Sequence, residues 1–359
     1  MSEDQKKPVV MITFREDSHN GGPYNSHLRI LKSKLSKSYN FVPLIIPKGP
    51  FKLLNLKIIY NIYRQISLKK PDIVHLAGLQ LEGFHAVLAC KVARTKKTVV
   101  AIHGSSTEAR DFPKWKKKII KILEILTLRL SSAAYGVSDY VSKWDLIHYS
   151  KHYFGTIYNL SQKNVLCCGK AAIRKEFNID INDILIVSTG RITVEKGFQI
   201  LLDIILEYTI PRNVKFLIIG DGAYLETMKK LLVLHSKQDS VIFPGYRDDI
   251  DNFLKESDIF IMPSLHETLC MSVLEACFAG LPAVVSNVGG LPEIVEHNYN
   301  GFLIDHHEVH EFIYYLELLI HNGPLRQTMG ENAKEKAYSK FNEEDIVDKI
   351  NTLYLQLLS

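Results

Sequence analysis

The sequence predicts an α/β protein of two domains, each built on a doubly wound parallel sheet. Three observations carry this reading. The chain has 359 residues, short apolar strand candidates alternate with helical stretches through its first half, and the alternation restarts after residue 170. Domains commonly run to about 100–200 residues, so two account for the length and each is large enough to bury a core.

In the first half the strand candidates are Val9–Phe14, Phe41–Ile46, Ile73–Leu76, Thr98–His103 and Ala133–Val137. Each is short and apolar, rich in β-branched or aromatic residues, as in strands buried on both faces. Helical stretches such as His27–Leu35 and Leu53–Ser67 lie between them, and this alternation implies a parallel sheet. The second set begins with Ile184–Ser188, followed by Thr189-Gly190-Arg191. Val214–Ile219 runs into Gly220-Asp221-Gly222, and Val241–Phe243, Ile259–Met262 and Ala283–Ser286 complete the set. The domains are expected at 1–170 and 171–342, with a boundary near 165–180. The closing segment Glu343–Leu358 reads as an amphipathic helix with Ile346, Ile350, Leu353 and Leu357 on one face, expected to pack back on the first domain. Sheets of this type bind ligands beyond the carboxyl ends of their strands, so a cleft between the domains is the expected site.

Composition narrows the class. No apolar run reaches the roughly 18–20 residues that span a bilayer, and the polar start, Met1 to Lys7, does not read as a signal peptide. Five cysteines, with Cys167 and Cys168 adjacent and no CxxC pair, suggest neither a disulfide framework nor zinc. A cytoplasmic setting is expected. The net charge is +5, but residues 1–170 carry +17 and residues 171–359 carry −12. The first half is therefore expected to face an anion: membrane phospholipid, a lipid-phosphate acceptor or nucleic acid.

The chemistry concentrates in His266-Glu267-Thr268-Leu269-Cys270-Met271-Ser272-Val273-Leu274-Glu275-Ala276, which follows the strand Ile259–Met262 and opens a helix. Glu275 lies eight residues after Glu267, or about 12 Å along a helix axis. One carboxylate can reach a reacting sugar while the other reaches beyond a diphosphate, and the backbone N–H groups between them suit phosphate. A second motif, Gly190-Arg191-Ile192-Thr193-Val194-Glu195-Lys196-Gly197, supplies two cations on a glycine-flanked turn. Arg191 and Lys196 are placed to neutralise the charge that grows on a diphosphate leaving group. Asp248, Asp249 and Asp251 read as a turn before a helix rather than a metal site, and His306, His307 and His310 as surface residues.

These motifs resemble glycosyltransferase family 4, the retaining group 1 type with the GT-B fold. Glu267 and Glu275 are similar to its paired-glutamate signature, and Gly190-Arg191 with Lys196-Gly197 to its phosphate-binding turn. Gly220-Asp221-Gly222, Phe243-Pro244-Gly245-Tyr246, Gly280-Leu281-Pro282 and Gly289-Gly290-Leu291-Pro292-Glu293 extend the likeness, which is weaker in the first half. There it rests on Asn20-Gly21-Gly22-Pro23, Val74-His75, Ile102-His103-Gly104 and Tyr158-Asn159. The resemblance implies two facing Rossmann-like doubly wound domains with an interdomain cleft. It implies that Arg191 and Lys196 bind the donor diphosphate and that Glu275 holds the ribose. Glu267 and His103 would face the transferred sugar, with Thr268, Leu269 and Cys270 lining the helix entrance. Gly245 and Tyr246 would border the base, while Gly21 and Gly22 would let the first loop approach the diphosphate. Thr268 and Cys270 depart from the small residues common in the family.

The basic stretch Lys114–Leu126 projects Lys114, Lys117, Lys118, Lys121, Glu124 and Arg129 onto one helical arc. Trp115, Ile119, Ile122, Leu123, Leu126 and Leu130 fall on the other. Such a helix either meets an anionic membrane surface through Lys114–Lys121 or packs its apolar face on the sheet.

The expected function is transfer of a sugar from a nucleoside diphosphate to an acceptor hydroxyl with retention, without metal or cofactor. The expected setting is bacterial surface polysaccharide or glycolipid synthesis on a lipid-linked or glycan acceptor, at the inner face of the cytoplasmic membrane. No recognised nucleic-acid module is present. A sugar-nucleotide epimerase and a non-catalytic nucleotide-sugar-binding subunit are the alternatives.

Overall fold

The computed structural model describes residues 7–16, 21–48, 54–79, 81–105, 113–161 and 172–359. Asn20, the Cys167-Cys168 pair and residues 165–171 of the expected domain boundary lie outside them. The chain divides into two compact units, residues 1–161 with 343–359, and residues 162–342.

The first unit runs β1 (Val9–Arg15), α1 (Gly22–Lys32), β2 (Asn40–Ile46), α2 (Leu56–Lys69), β3 (Ile73–Ala77), α3 (Leu81–Val92), β4 (Lys97–Ile102), α4 (Lys114–Leu130), β5 (Ala133–Gly136), α5 (Asp139–Ser142) and β6 (Tyr153–Thr156). All its strands pair in parallel, in the order β2-β1-β3-β4-β5-β6. β3, β4 and β5 are buried almost throughout, which is why they read as plain apolar runs. Right-handed crossovers place α2, α3 and α4 on one face of the sheet and α1 on the other.

The second unit runs α6 (Ala172–Glu176), β7 (Ile184–Thr189), α7 (Phe198–Glu207), β8 (Val214–Ile219), α8 (Leu225–Leu234), β9 (Val241–Gly245), α9 (Ile250–Glu256), β10 (Ile259–Met262), α10 (Met271–Ala279), β11 (Ala283–Ser286), α11 (Leu291–Ile294), β12 (Gly301–Ile304), α12 (Val309–His321) and α13 (Gly323–Lys340). Its parallel sheet has the order β12-β11-β10-β7-β8-β9. Phe198, Phe216, Phe302 and Phe312 anchor its core. Burying one such side chain stabilises by roughly 1.5–3 kcal/mol relative to leaving it in water. The chain then returns to the first unit as α14 (Glu343–Leu358), burying Ile346, Ile350, Leu353 and Leu357.

Three expectations are corrected. Helix α1 begins at Gly22, where Pro23 fits the first turn, and ends at Lys32, leaving Leu35 in a separate 3-10 turn. Edge strands β6 and β12 add to the expected set; each has four residues including a glycine, too short for a periodicity to show. The faces of α4 also differ from the projected arcs. Ile120, Leu123, Glu124, Thr127 and Leu128 turn inward, while Trp115, Ile122 and Leu126 are 65%, 57% and 37% exposed. Packing on α3 selects the inward face, so the outer one mixes lysines with apolar side chains.

Candidate active site

In the second sheet β7 lies between β8 and β10, so the loops after β7 and β10 leave neighbouring strands at the point where the winding changes direction. Such a switch point is where doubly wound sheets bind ligands. The two loops carry Gly190–Gly197 and Pro263–Cys270.

They are closely fitted. Gly197 adopts φ 75°, and a Cβ there would overlap the Pro263 carbonyl oxygen, so only glycine permits this approach. Leu265 N–H donates to Glu195 O at 3.1 Å. A third loop closes on the other side. Gly290 N–H donates to Glu267 O at 3.0 Å, and a Cβ on Gly289, at φ 55°, would overlap that same oxygen.

The fit joins residues far apart in sequence. Lys196 Nζ donates to Glu267 Oε1 at 2.7 Å, and Ser264 Oγ donates to the same oxygen at 3.0 Å. Glu267 is 5% exposed and Ser264 fully buried. Burial works against the Lys196 charge, but the Glu267 carboxylate more than offsets it and holds the ammonium pKa above its ordinary value. Arg191 is exposed, and its charge is felt at Lys196. Cys270 caps the start of α10, its thiol raised to about 12 first by burial and then by Glu267, so it is protonated and unreactive. Thr268 and Leu269 complete the entrance, and Glu275 sits half-buried on α10. The site thus offers a buried carboxylate, one part-buried and one exposed cation, and the N–H groups of a helix start.

At the end of β9, Gly245 turns at φ 76°, and Tyr246 after it is 54% exposed. The neighbouring aspartates are engaged: Tyr246 OH donates to Asp248 Oδ1 at 2.7 Å, and Arg247 Nε to Asp249 Oδ1 at 2.8 Å.

Gly21, Gly22 and His103 belong to the first unit. The two glycines are exposed at the start of α1, and His103 follows β4. His103 packs edge-on against His27, ring centroids 6.2 Å apart, and His27 lies 4.7 Å from His75. His27 Nδ1 donates to Thr13 O at 3.0 Å, so its bare Nε2, buried with no hydrogen-bond partner among the described residues, is an acceptor. His75 Nδ1 and Nε2 meet Tyr354 OH and Tyr135 OH at 2.7 and 3.0 Å. Burial lowers the pKa of His27 to about 4. Burial, then His27, lowers that of His103 to about 3. These rings are neutral near pH 7.

A family model described as "Glycosyl transferases group 1" matches residues 169–336, and another, "Glycosyl transferase 4-like", matches residues 26–127. The chain belongs to the group 1 glycosyltransferases. Among curated relatives of this family, the Escherichia coli "UDP-Gal:alpha-D-GlcNAc-diphosphoundecaprenol alpha-1,3-galactosyltransferase" is 26% identical over 327 residues, 89% of this chain and 84% of the relative. A Rhizobium meliloti "Lipopolysaccharide core biosynthesis glycosyltransferase" is 30% identical over 175 residues, 49% of each protein. The Anabaena protein HepE, solved with UDP and glucose, superposes with a TM-score of 0.80 at 18% identity, covering 97% of this chain and 100% of that one. That last likeness is one of fold, and the fold class is the expected GT-B type with two Rossmann-like units.

Within this glycosyltransferase, Ser264, Gly289, Gly290, His27 and His75 were not singled out for the roles the geometry gives them. Pro263-Ser264 reads as a plain turn, and only the fold brings Ser264 Oγ onto Glu267. The histidines sit on an inward helix face and a strand interior; Val74-His75 belongs to the family likeness, but nothing in the sequence places His75 against His27.

Proposed function

We propose that the protein transfers a glycosyl group from a nucleoside-diphosphate sugar to an acceptor hydroxyl, with retention, as a family 4 enzyme of surface polysaccharide or lipopolysaccharide assembly. The Lys196–Glu267 pair at the switch point, its carboxylate buried, carries this reading. Lys196 and Arg191 take the diphosphate, the start of α10 adds N–H donors, and Glu275 holds the ribose. Glu267 and His103 face the sugar, with Tyr246 beside the base. The bond from the anomeric carbon to the phosphate oxygen breaks, and the acceptor oxygen bonds to that carbon on the same face. The acceptor proton passes to the departing phosphate. Lys196 and Arg191 stabilise the charge that develops there, a contribution commonly worth several kcal/mol. The names of the relatives make UDP-galactose with a lipid-diphosphate acceptor the first pair to test. Nucleotide release that requires acceptor, with the donor's axial anomeric C–O bond (equatorial anomeric proton) retained in the product, is the expected result. Release of no nucleotide from any sugar nucleotide in a full screen overturns the reading.

The reaction runs without a divalent ion in this account, because two cations serve the diphosphate and Asp248 and Asp249 are held by Tyr246 and Arg247. Activity is expected to persist in excess EDTA. Loss that Mg²⁺ or Mn²⁺ restores would point to carboxylates at work, or to Asp305, His306 and His307, whose potential ligand atoms lie within 4.8 Å of one another.

The acceptor side extends to the membrane. Among the described residues no helix is long and apolar enough to cross one. The outer face of α4 instead presents Lys114, Lys118 and Lys121 beside exposed Trp115 and Ile122. Each lysine near an anionic surface contributes about 1 kcal/mol, screened beyond about 8–10 Å at physiological salt. Binding to anionic vesicles, weak binding to neutral ones and release by high salt are expected. The variant with Lys114, Lys116, Lys117, Lys118 and Lys121 changed to Gln should stay in the supernatant; its sedimentation with anionic vesicles rejects the helix as the contact.

A further inference from the structure

Glu124 is the single acidic residue of α4, and it is 1% exposed, on the face opposite the outer lysines. Ser105 Oγ donates to its Oε2 at 2.7 Å. A carboxyl group buried there costs several kcal/mol unless it is well hydrogen-bonded, and an aliphatic side chain would fill the same space more cheaply. Its neighbours Leu123 and Leu128 show how the rest of this face packs. Ser105 stands two residues after His103, in the loop that leaves β4. On its other side the His103 ring rests edge-on against His27, itself fixed by Thr13 O.

We propose that Glu124 is a positioning residue: through Ser105 it holds residues 103–105 so that the His103 ring keeps one orientation toward the transferred sugar. This rests on the reading of His103 given under Proposed function. A neutral imidazole acts there as a directed hydrogen-bonding group, so its usefulness depends on where its nitrogens point. The Ser105 hydrogen bond fixes the backbone two residues after the ring, and His27 packs against the ring itself.

The test uses the full chain with UDP-galactose as donor probe and compares Ser105→Ala, Glu124→Leu and Glu124→Gln, each alone and combined with His103→Ala. Ser105→Ala and Glu124→Leu are expected to lower kcat about tenfold with little change in donor KM. Glu124→Gln keeps an acceptor for Ser105 and should stay within about twofold of the wild type. In the His103→Ala background all three should have almost no further effect, because they act through a ring no longer present. Hydrogen exchange should accelerate at the amides of residues 103–105 in Ser105→Ala and Glu124→Leu while Tm changes little, which a purely structural role would not give. Equal losses with and without His103 overturn the proposal, as does full turnover of Ser105→Ala beside an impaired His103→Ala. Full turnover of His103→Ala itself rejects the underlying reading of that residue, and the positioning role falls with it.

Discussion

Lys196→Ala is expected to lower turnover by roughly 10²–10³, the loss typical when one preorganised group facing a developing anion is removed. Arg191→Ala should lose a comparable factor. The two variants differ in what they do to the fold. Lys196 pairs at 2.7 Å with a carboxylate that is 5% exposed, so its removal leaves Glu267 buried without its cation. Breaking such a pair destabilises by about 3–5 kcal/mol. Arg191 is exposed and carries no such penalty. A melt beside each nucleotide-release assay separates the effects: a lowered Tm for Lys196→Ala alone, and lost turnover for both. Near-normal turnover in both variants would remove the diphosphate site from this turn.

Acid should unfold the first unit early. His27 and His75 are fully buried, and burial depresses both pKa values, His27 to about 4. For His75 the nearby rings of His27 and His103 add to the effect. Near pH 7 both histidines are neutral folded or unfolded, and this stability is fully present. Below about 6.5 the unfolded chain binds protons that the folded one refuses, and each ring loses about 1.4 kcal/mol per pH unit. For His27 the loss continues down to its folded pKa near 4. The His103 ring, lowered to about 3, adds a third such loss; denaturant unfolding at pH 7.0 and 5.5, a range in which ordinary carboxylates stay ionised, should therefore differ by roughly 4 kcal/mol. A flat profile, or an NMR titration of either ring near 6.5, refutes the neutral cluster.

The interior strands were legible because a parallel sheet buries both faces and turns each strand into an apolar run, as in Val99–Ile102 or Ile259–Met262. β6 and β12 gave no such signal at the sheet edges. In the second unit, glycine and charge spacing marked Gly190–Gly197 and Glu267–Glu275, since close backbone approach and phosphate binding need those residue types. What joins them was not readable. Lys196 and Glu267 are 71 residues apart, and only the adjacency of β7 and β10 brings them within 2.7 Å. Helix α4 shows the converse error. Its period is helical, but solvent takes Trp115 and Ile122 while the core takes Glu124, because a polar group can be satisfied by a loop that no helical projection contains.

The return of α14 to the first unit bears on the order in which the chain assembles during synthesis. Tyr354 is wholly buried there and meets His75, 279 residues earlier. The whole of residues 162–342 emerges from the ribosome before the segment that completes the first core. The later-made unit can therefore finish folding while the earlier one still lacks a helix, reversing the usual order from N- to C-terminus. Its early folding also replaces a long flexible tether by a compact body, which lessens the entropy lost when α14 docks. Until that docking, the ring of His75 lacks the Tyr354 hydroxyl that meets it in the finished fold.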